Sequence, residues 1–403
     1  MTVKHFKKPE LLVPIKNLAG FKACRDYADA VYFSCGKLNM RARNNGIDLR
    51  NIESVVRKVH EKGLKAYLTV NSIIYNNDIS VAETIVRKAK ASEVDAVITW
   101  DPAVIALCKE EGVRFHVSTQ ANISNWKTAE FYRDMGAERL ILAREMNLKH
   151  IAEIKKMVDI KVETFVHGAM CVSVSGRCYL SSYLYGMSAN CGACAQPCRK
   201  EWMLVDVEKN KIICDGKFLM SAKDLCMIEH IPELVKAGID SFKIEGRLRD
   251  ERYVEIVSRC YREAIDSYFD GTYTKDKVAG WKDELSKVYN RGFSTGFYFA
   301  KPTKEGFNYD DSDNVAKEKR RAVGVVKNYY AKLGVAVVAL QNSGLKVGDK
   351  LMIAGKTTYF KQDAESIFVD EVKVSKAKKG VLIGLKVDER VRENDVVYRV
   401  VGV

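Results

Sequence analysis

The feature that most constrains this chain is an alternation of two periods, repeated eight times. Apolar runs that read as strands buried on both faces fall at 10–14, 30–35, 65–71, 96–100, 114–120, 139–144, 161–167 and 241–245. Helical stretches fall at 18–27, 51–62, 80–92, 103–111, 126–135, 148–157 and 252–268. Gly63, Gly112, Gly136 and Gly238 each stand just past a helix, where a left-handed cap is wanted. Eight strand–helix units within about 270 residues predict a closed (β/α)8 barrel of the TIM type, with an open doubly wound sheet as the alternative. A barrel places its active site at the C-terminal ends of the strands. The polar residues predicted there are Asn71, Asp101, Gln120, Glu145, His167, Glu245 and Arg247. Of Glu245 and Arg247, one is expected to face inward.

One connection breaks the pattern. After the seventh strand, residues 168–223 form a link far longer than the few residues of an ordinary βα loop. Five of the eleven cysteines stand in it: Cys171, Cys178, Cys191, Cys194 and Cys198. Cys226 follows, and is expected at the N-terminus of the next helix, where the dipole would favour thiolate. Disulfides would explain such density in a secreted chain. An odd cysteine total, no signal peptide and 29% charged residues instead read as cytoplasmic, where thiols stay reduced. Zinc favours paired CxxC knuckles, and only Cys191-Gly-Ala-Cys194 is such a pair. Iron–sulfur clusters accept irregular spacing, so the cysteines point toward one, with zinc and inert thiols as alternatives. Short strands at 202–207, 211–215 and 218–220 are expected to cover the site.

Beyond Gly271 the pattern changes. A helix at 281–288 and a polar linker lead into short strands from residue 321 onward, punctuated by glycine and lysine, which predict a small β-barrel. The domains expected are thus 1–271 with its cysteine-rich insertion, a connecting segment 272–320, and 321–403. Residues 316–403 hold 18 Lys and Arg against 10 Asp and Glu, giving +8 of the chain's +14. That imbalance fits a polyanionic partner such as nucleic acid, or a solvated lysine-rich surface. No apolar run is long enough to cross a membrane.

Five segments carry a resemblance. Glu163-Thr-Phe-Val-His-Gly-Ala-Met-Cys171, Ser175-Gly-Arg-Cys178, Ser221-Ala-Lys-Asp-Leu225, Phe242-Lys-Ile-Glu-Gly-Arg247 and Tyr289-Asn-Arg-Gly-Phe293 resemble the collagenase-like peptidase U32 family. Residues 321–403 look like its C-terminal domain, similar to the second domain of elongation factor Tu. The resemblance implies one of two activities. One is oxygen-independent RNA hydroxylation, forming 5-hydroxyuridine in tRNA with a [4Fe-4S] cluster and prephenate, a small carboxylic acid, as cosubstrate. The other is the endopeptidase activity that named the family. A non-catalytic RNA-binding module with a structural cluster is a third reading. By resemblance Cys171, Cys178, Cys198 and Cys226 are the cluster ligands, with Cys191 and Cys194 as further candidates and Cys194 able to exchange with Cys198. A second family member, or a second copy in a homo-oligomer, is the protein partner the resemblance brings into view.

Each candidate also has a plain structural reading. His167 could donate to the cluster or move a proton, or be a satisfied core histidine. Arg247, and with it Lys243 or Lys223, could clamp a carboxylate or form ion pairs. Arg41-Ala-Arg43 is a basic loop near the same face. Tyr289, Phe293, Phe297, Tyr298 and Phe299 could stack bases or pack between domains. No HExxH helix and no GxSxG elbow supports proteolysis.

Overall fold

The structure, a computed structural model, describes residues 6–42, 46–218, 220–309 and 313–402. The alternation becomes β1 (Glu10–Pro14), α1 (Leu18–Cys24), β2 (Ala30–Phe33), α2 (Ile52–His60), β3 (Lys65–Thr69), α3 (Ile79–Ala91), β4 (Ala96–Thr99), α4 (Pro102–Glu111), β5 (Phe115–Val117), α5 (Trp126–Asp134), β6 (Arg139–Ile141), α6 (Leu148–Met157) and β7 (Lys161–Gly168). After α7 (Leu180–Tyr185) come β8 (Glu201–Val205), β9 (Lys211–Phe218), β10 (Asp224–Cys226), α8 (Ile231–Lys236), β11 (Ser241–Ile244), α9 (Glu251–Phe269), α10 (Lys275–Ser286) and β12 (Phe293–Ser294). Strands β1 to β7 pair in parallel in chain order, and β11 pairs with both β7 and β1, which closes the barrel. Every residue of β2, β4 and β11 is buried, as strands packed on both faces must be. The predicted caps hold: Gly112, for example, ends α4 at φ +68°. No helix among the described residues is long and apolar enough to cross a membrane.

The barrel floor is an ion-pair layer. Arg139 of β6 donates to Glu10 at 2.6 Å and Glu163 at 2.9 Å, and Lys243 of β11 donates to Glu163 at 2.8 Å. All four are buried or nearly so, each charge answered by another within hydrogen-bond reach.

The insertion after β7 is built against the mouth. It returns through β10, which runs antiparallel to the end of β7 with Cys226 opposite His167, and β12 adds alongside β10. Gly168 stands at φ +105°, and a Cβ there would lie 2.5 Å from the Glu245 carbonyl oxygen, so the crossing needs glycine. Further out, Gly192 at φ +83° presses on the loop after β2, where a Cβ would meet Asn39 O at 2.2 Å. Strands β8 and β9, where short strands were expected at 202–207 and 211–215, pair antiparallel. The expected strand at 218–220 ends with β9 at Phe218, and residue 219 lies outside the described residues.

The C-terminal unit comprises β13 (Glu318–Tyr330), β14 (Val335–Ala339), β15 (Leu345–Lys346), β16 (Lys350–Ala354), β17 (Tyr359–Asp363), β18 (Ile367–Val369), β19 (Val372–Val374), β20 (Lys376–Ala377), β21 (Leu382–Lys386) and β22 (Val396–Gly402). Eight of these form one antiparallel sheet, in the order β17, β16, β22, β13, β14, β21, β18, β19. Its own core includes Val323, Val338, Ile353, Ile383 and Val397. Met352, Ala354 and Tyr359 instead join the barrel's core, and Lys361 pairs with Glu255 of α9 at 2.5 Å.

Candidate functional site

A cavity of about 160 Å³ occupies the barrel mouth. Tyr32, Ile98, Ile141 and Phe165 form its apolar base, and the insertion supplies its roof. Four of the sequence's strand-end candidates line it: Asn71, Gln120, Glu245 and Arg247. Glu245 and Arg247 both reach the cavity, whereas one was expected, because β11 ends at Ile244 and strand alternation no longer sets direction beyond it. Asp101 instead caps α4 by accepting from the Ala103 amide at 2.9 Å. Glu145 holds the strap after β7, accepting from Ser175 N at 2.7 Å and Oγ at 3.2 Å.

The polar side of the cavity is cationic. Arg41 and Arg144 approach the two oxygens of Glu245 at 3.2 and 3.4 Å. Arg247 donates to Thr69 Oγ1 at 2.7 Å, with its guanidinium over the Tyr32 ring. Arg144 also stacks 3.9 Å from the Phe165 centroid. Burial works to raise the Glu245 carboxyl, but Arg41, Arg144 and Arg247 overcome it and hold it at about 2. Glu245 therefore stays ionised at neutral pH, and three guanidiniums face one carboxylate. Lys243 lines the same cavity while its ammonium is committed to Glu163. Arg41 is thus part of the site; Arg43 lies outside the described residues. Arg144 was not singled out from sequence, because β6 stops at Ile141 and the chain turns before 144, so strand alternation gives no guide to its direction.

Ten of the eleven cysteines, all but Cys214, are recorded as free thiols. Cys171, Cys178, Cys194 and Cys198 line the mouth cavity together. Burial lifts the Cys198 thiol to about 11; Arg199 pulls it down, while Cys171, Cys194 and Cys178 are close enough to push it further up. Cys191 sits beside this group, next to Tyr75. Cys226 stands apart. It is the last residue of β10, its sulfur 4.0 Å from the Tyr261 hydroxyl, and burial raises its thiol to about 11. A 3-10 turn at Ile228–His230 leads into α8, and the Ile228 amide, bonded to the Cys226 sulfur, lowers the thiol as a helix start is expected to, but burial outweighs it. Among the described residues no three ligating side chains close on a point that a single ion would occupy. The four mouth thiols border a cavity instead, and an all-thiolate donor set of four suits an iron–sulfur cluster.

His167 is also outside the cavity. Its ring packs against Tyr253, Tyr261 and Phe293, and burial pushes its pKa down to about 3. It is neutral at physiological pH and enclosed. The aromatic segment after α10 mostly packs: Tyr298 is buried and donates to Phe165 O at 2.6 Å, and Tyr289 lies under Arg249. Lys223 lies outside the mouth cavity.

A model of peptidase family U32 matches residues 17–308. An uncharacterized protease of Methanocaldococcus jannaschii is 45% identical over 400 residues, spanning 96% of this chain and 97% of that one. The collagenase of Porphyromonas gingivalis is 36% identical over 405 residues, spanning 97% of each chain. The tRNA hydroxylation protein P1 of Bacillus subtilis is 34% identical over 357 residues, spanning 87% of this chain and 84% of that one.

Proposed function

This chain belongs to peptidase family U32, and from that premise we propose that it is an enzyme acting on RNA: an iron–sulfur-dependent hydroxylase forming 5-hydroxyuridine in tRNA, with prephenate as cosubstrate. The observation that carries the proposal is the meeting of four thiols and three guanidiniums at one barrel mouth. Cys171, Cys178, Cys194 and Cys198 would hold the [4Fe-4S] cluster, which when bound supplies one-electron chemistry. The other residues bind and orient. Arg247, steadied by Thr69, presents a planar fork that fits a carboxylate two-pronged, and Arg41 and Arg144 leave net positive charge for a second acidic group. Glu245 holds the two arginines in place as a fixed counter-charge. The apolar base formed by Ile98, Ile141 and Phe165 suits a small ring, since about 150 Å³ of apolar cavity takes a benzene-sized molecule. The surplus of +8 in residues 316–403 favours a polyanionic substrate.

The peptidase reading is favoured by the names of two relatives, a collagenase and an uncharacterized protease. At the thiols it lacks a Cys–His pair, since among the described residues no histidine lines the cavity.

Anaerobic purification with iron and sulfide analysis tests the cluster. Matched iron and sulfide, lost in Cys194→Ala and kept in Cys226→Ala, is the expected result; iron-free wild type, or a loss confined to Cys226→Ala, overturns the ligand set. Nucleoside analysis of tRNA from a deletion strain then tests the substrate, and an unchanged nucleoside profile would count against tRNA.

A further inference from the structure

A second cavity, of about 380 Å³, shares Met170, Cys171 and Val172 with the first. Its facing wall comes from the chain beyond α10, chiefly Phe297 and Phe307. The strap between the two cavities shows apolar side chains to solvent: Val172 is 41% and Val174 58% exposed. Lys223 and Lys301 also line this cavity. Among the described residues neither ammonium has an acidic partner. The carboxylate on this wall, Glu145, is occupied by Ser175.

The chemistry is that of a flat apolar slot with unspent cations beside it. An aromatic peptide side chain would satisfy the apolar half and leave both lysines unmatched. A nucleotide satisfies both, its base against the rings and its phosphates on the lysines. The volume falls in the range of small-ligand pockets. We propose that this slot receives the unpaired nucleotide to be modified, with its base against Phe297 and Phe307 and its phosphates on Lys223 and Lys301. The proposal rests on the RNA-hydroxylase reading and gives it a second subsite: Cys171 forms a wall common to the acid's cavity and the base's.

The test uses the full-length protein and a short RNA hairpin carrying 4-thiouridine in its loop. Photocrosslinks are expected within residues 294–307 and 170–174. Phe307→Ala is expected to weaken binding roughly tenfold, as loss of one stacked base would. Lys301→Ala, at an exposed position that folding does not need, should weaken binding several-fold and lower the salt slope by about one. Tight RNA binding with crosslinks elsewhere, and with both variants like wild type, overturns the slot while leaving the RNA reading intact. Failure of the wild type to bind any RNA overturns that reading and the slot together. Displacement of a bound aromatic peptide, lost in Phe307→Ala and without RNA affinity, assigns the slot to polypeptide and overturns the proposal.

Discussion

Glu163 is fully buried between Lys243 and Arg139. Burial would raise its carboxyl, but Lys243 and Arg139 hold it at about 2, below its ordinary 4.5. A depressed folded-state pKa means the stabilisation is complete above about 4.5 and fades as pH falls toward 2. Glu163→Gln takes from buried Lys243 its paired carboxylate, while Arg139 keeps Glu10, and is expected to cost about 3–5 kcal/mol at neutral pH. It should also flatten the loss of stability between those two pH values. Denaturant melts across that range check both, and a variant with the wild-type midpoint at pH 7 would refute the assignment. Arg247→Lys, which replaces a fork with a point charge, is expected to raise the KM for the carboxylic acid about tenfold while kcat changes less. A fall in kcat with KM unchanged would move Arg247 from binding to the chemical step. Glu245 and Arg247 were legible in the sequence because a strand end in a barrel has a known destination. His167 was legible as a position but not as a role, since the three rings that enclose it come from residues 86 or more positions later: Tyr253, Tyr261 and Phe293. Cys226 was legible as a residue preceding a helix, but its place away from the mouth cavity was not. Spacing counts residues, and β10 turns its cysteine toward Tyr261 by pairing backward on β7.

The strands and helices followed the periodicity, and the differences lie at their ends. β5 was expected over 114–120 and spans Phe115–Val117, because Thr119–Ala121 winds into a 3-10 turn where the barrel opens. Such a boundary is set by tertiary closure, which a local pattern does not encode. The insertion shows the same limit. Its length marked it as functional, but its anchorage through Gly192 against Asn39 and Ala42 joins segments about 150 residues apart. Gly192→Ala would need a left-handed backbone and a Cβ 2.5 Å from the Ala42 amide nitrogen. The expected outcome is a local release: amide exchange rises several-fold in 189–194 and 39–42, while the barrel strands stay protected. Unchanged exchange in both segments would show that the contact does not hold the roof.

Across the whole molecule, the C-terminal sheet is attached by more than a linker. Tyr359 sits in the barrel's core and its hydroxyl bonds Glu255, while Arg252 of α9 pairs with Glu318. Two units that share buried apolar surface and charged contacts are expected to unfold in one calorimetric transition. Two resolved transitions in the wild type would contradict that. The sequence announced the second unit through its change of rhythm, yet nothing local told that it would lean on α1 and α9. The ion-pair floor of Arg139, Glu10, Glu163 and Lys243 has a kinetic meaning as well. It seals the barrel's lower end, so the mouth cavity is a well with its opening under the roof. On the proposed function, a polymer seated over that roof would trap whatever lies beneath, so turnover would be compulsory-ordered: the small acid would enter first, the polymer second, and the acid's product would depart only after the polymer had gone. In steady-state terms, an unreactive RNA would be uncompetitive toward the acid.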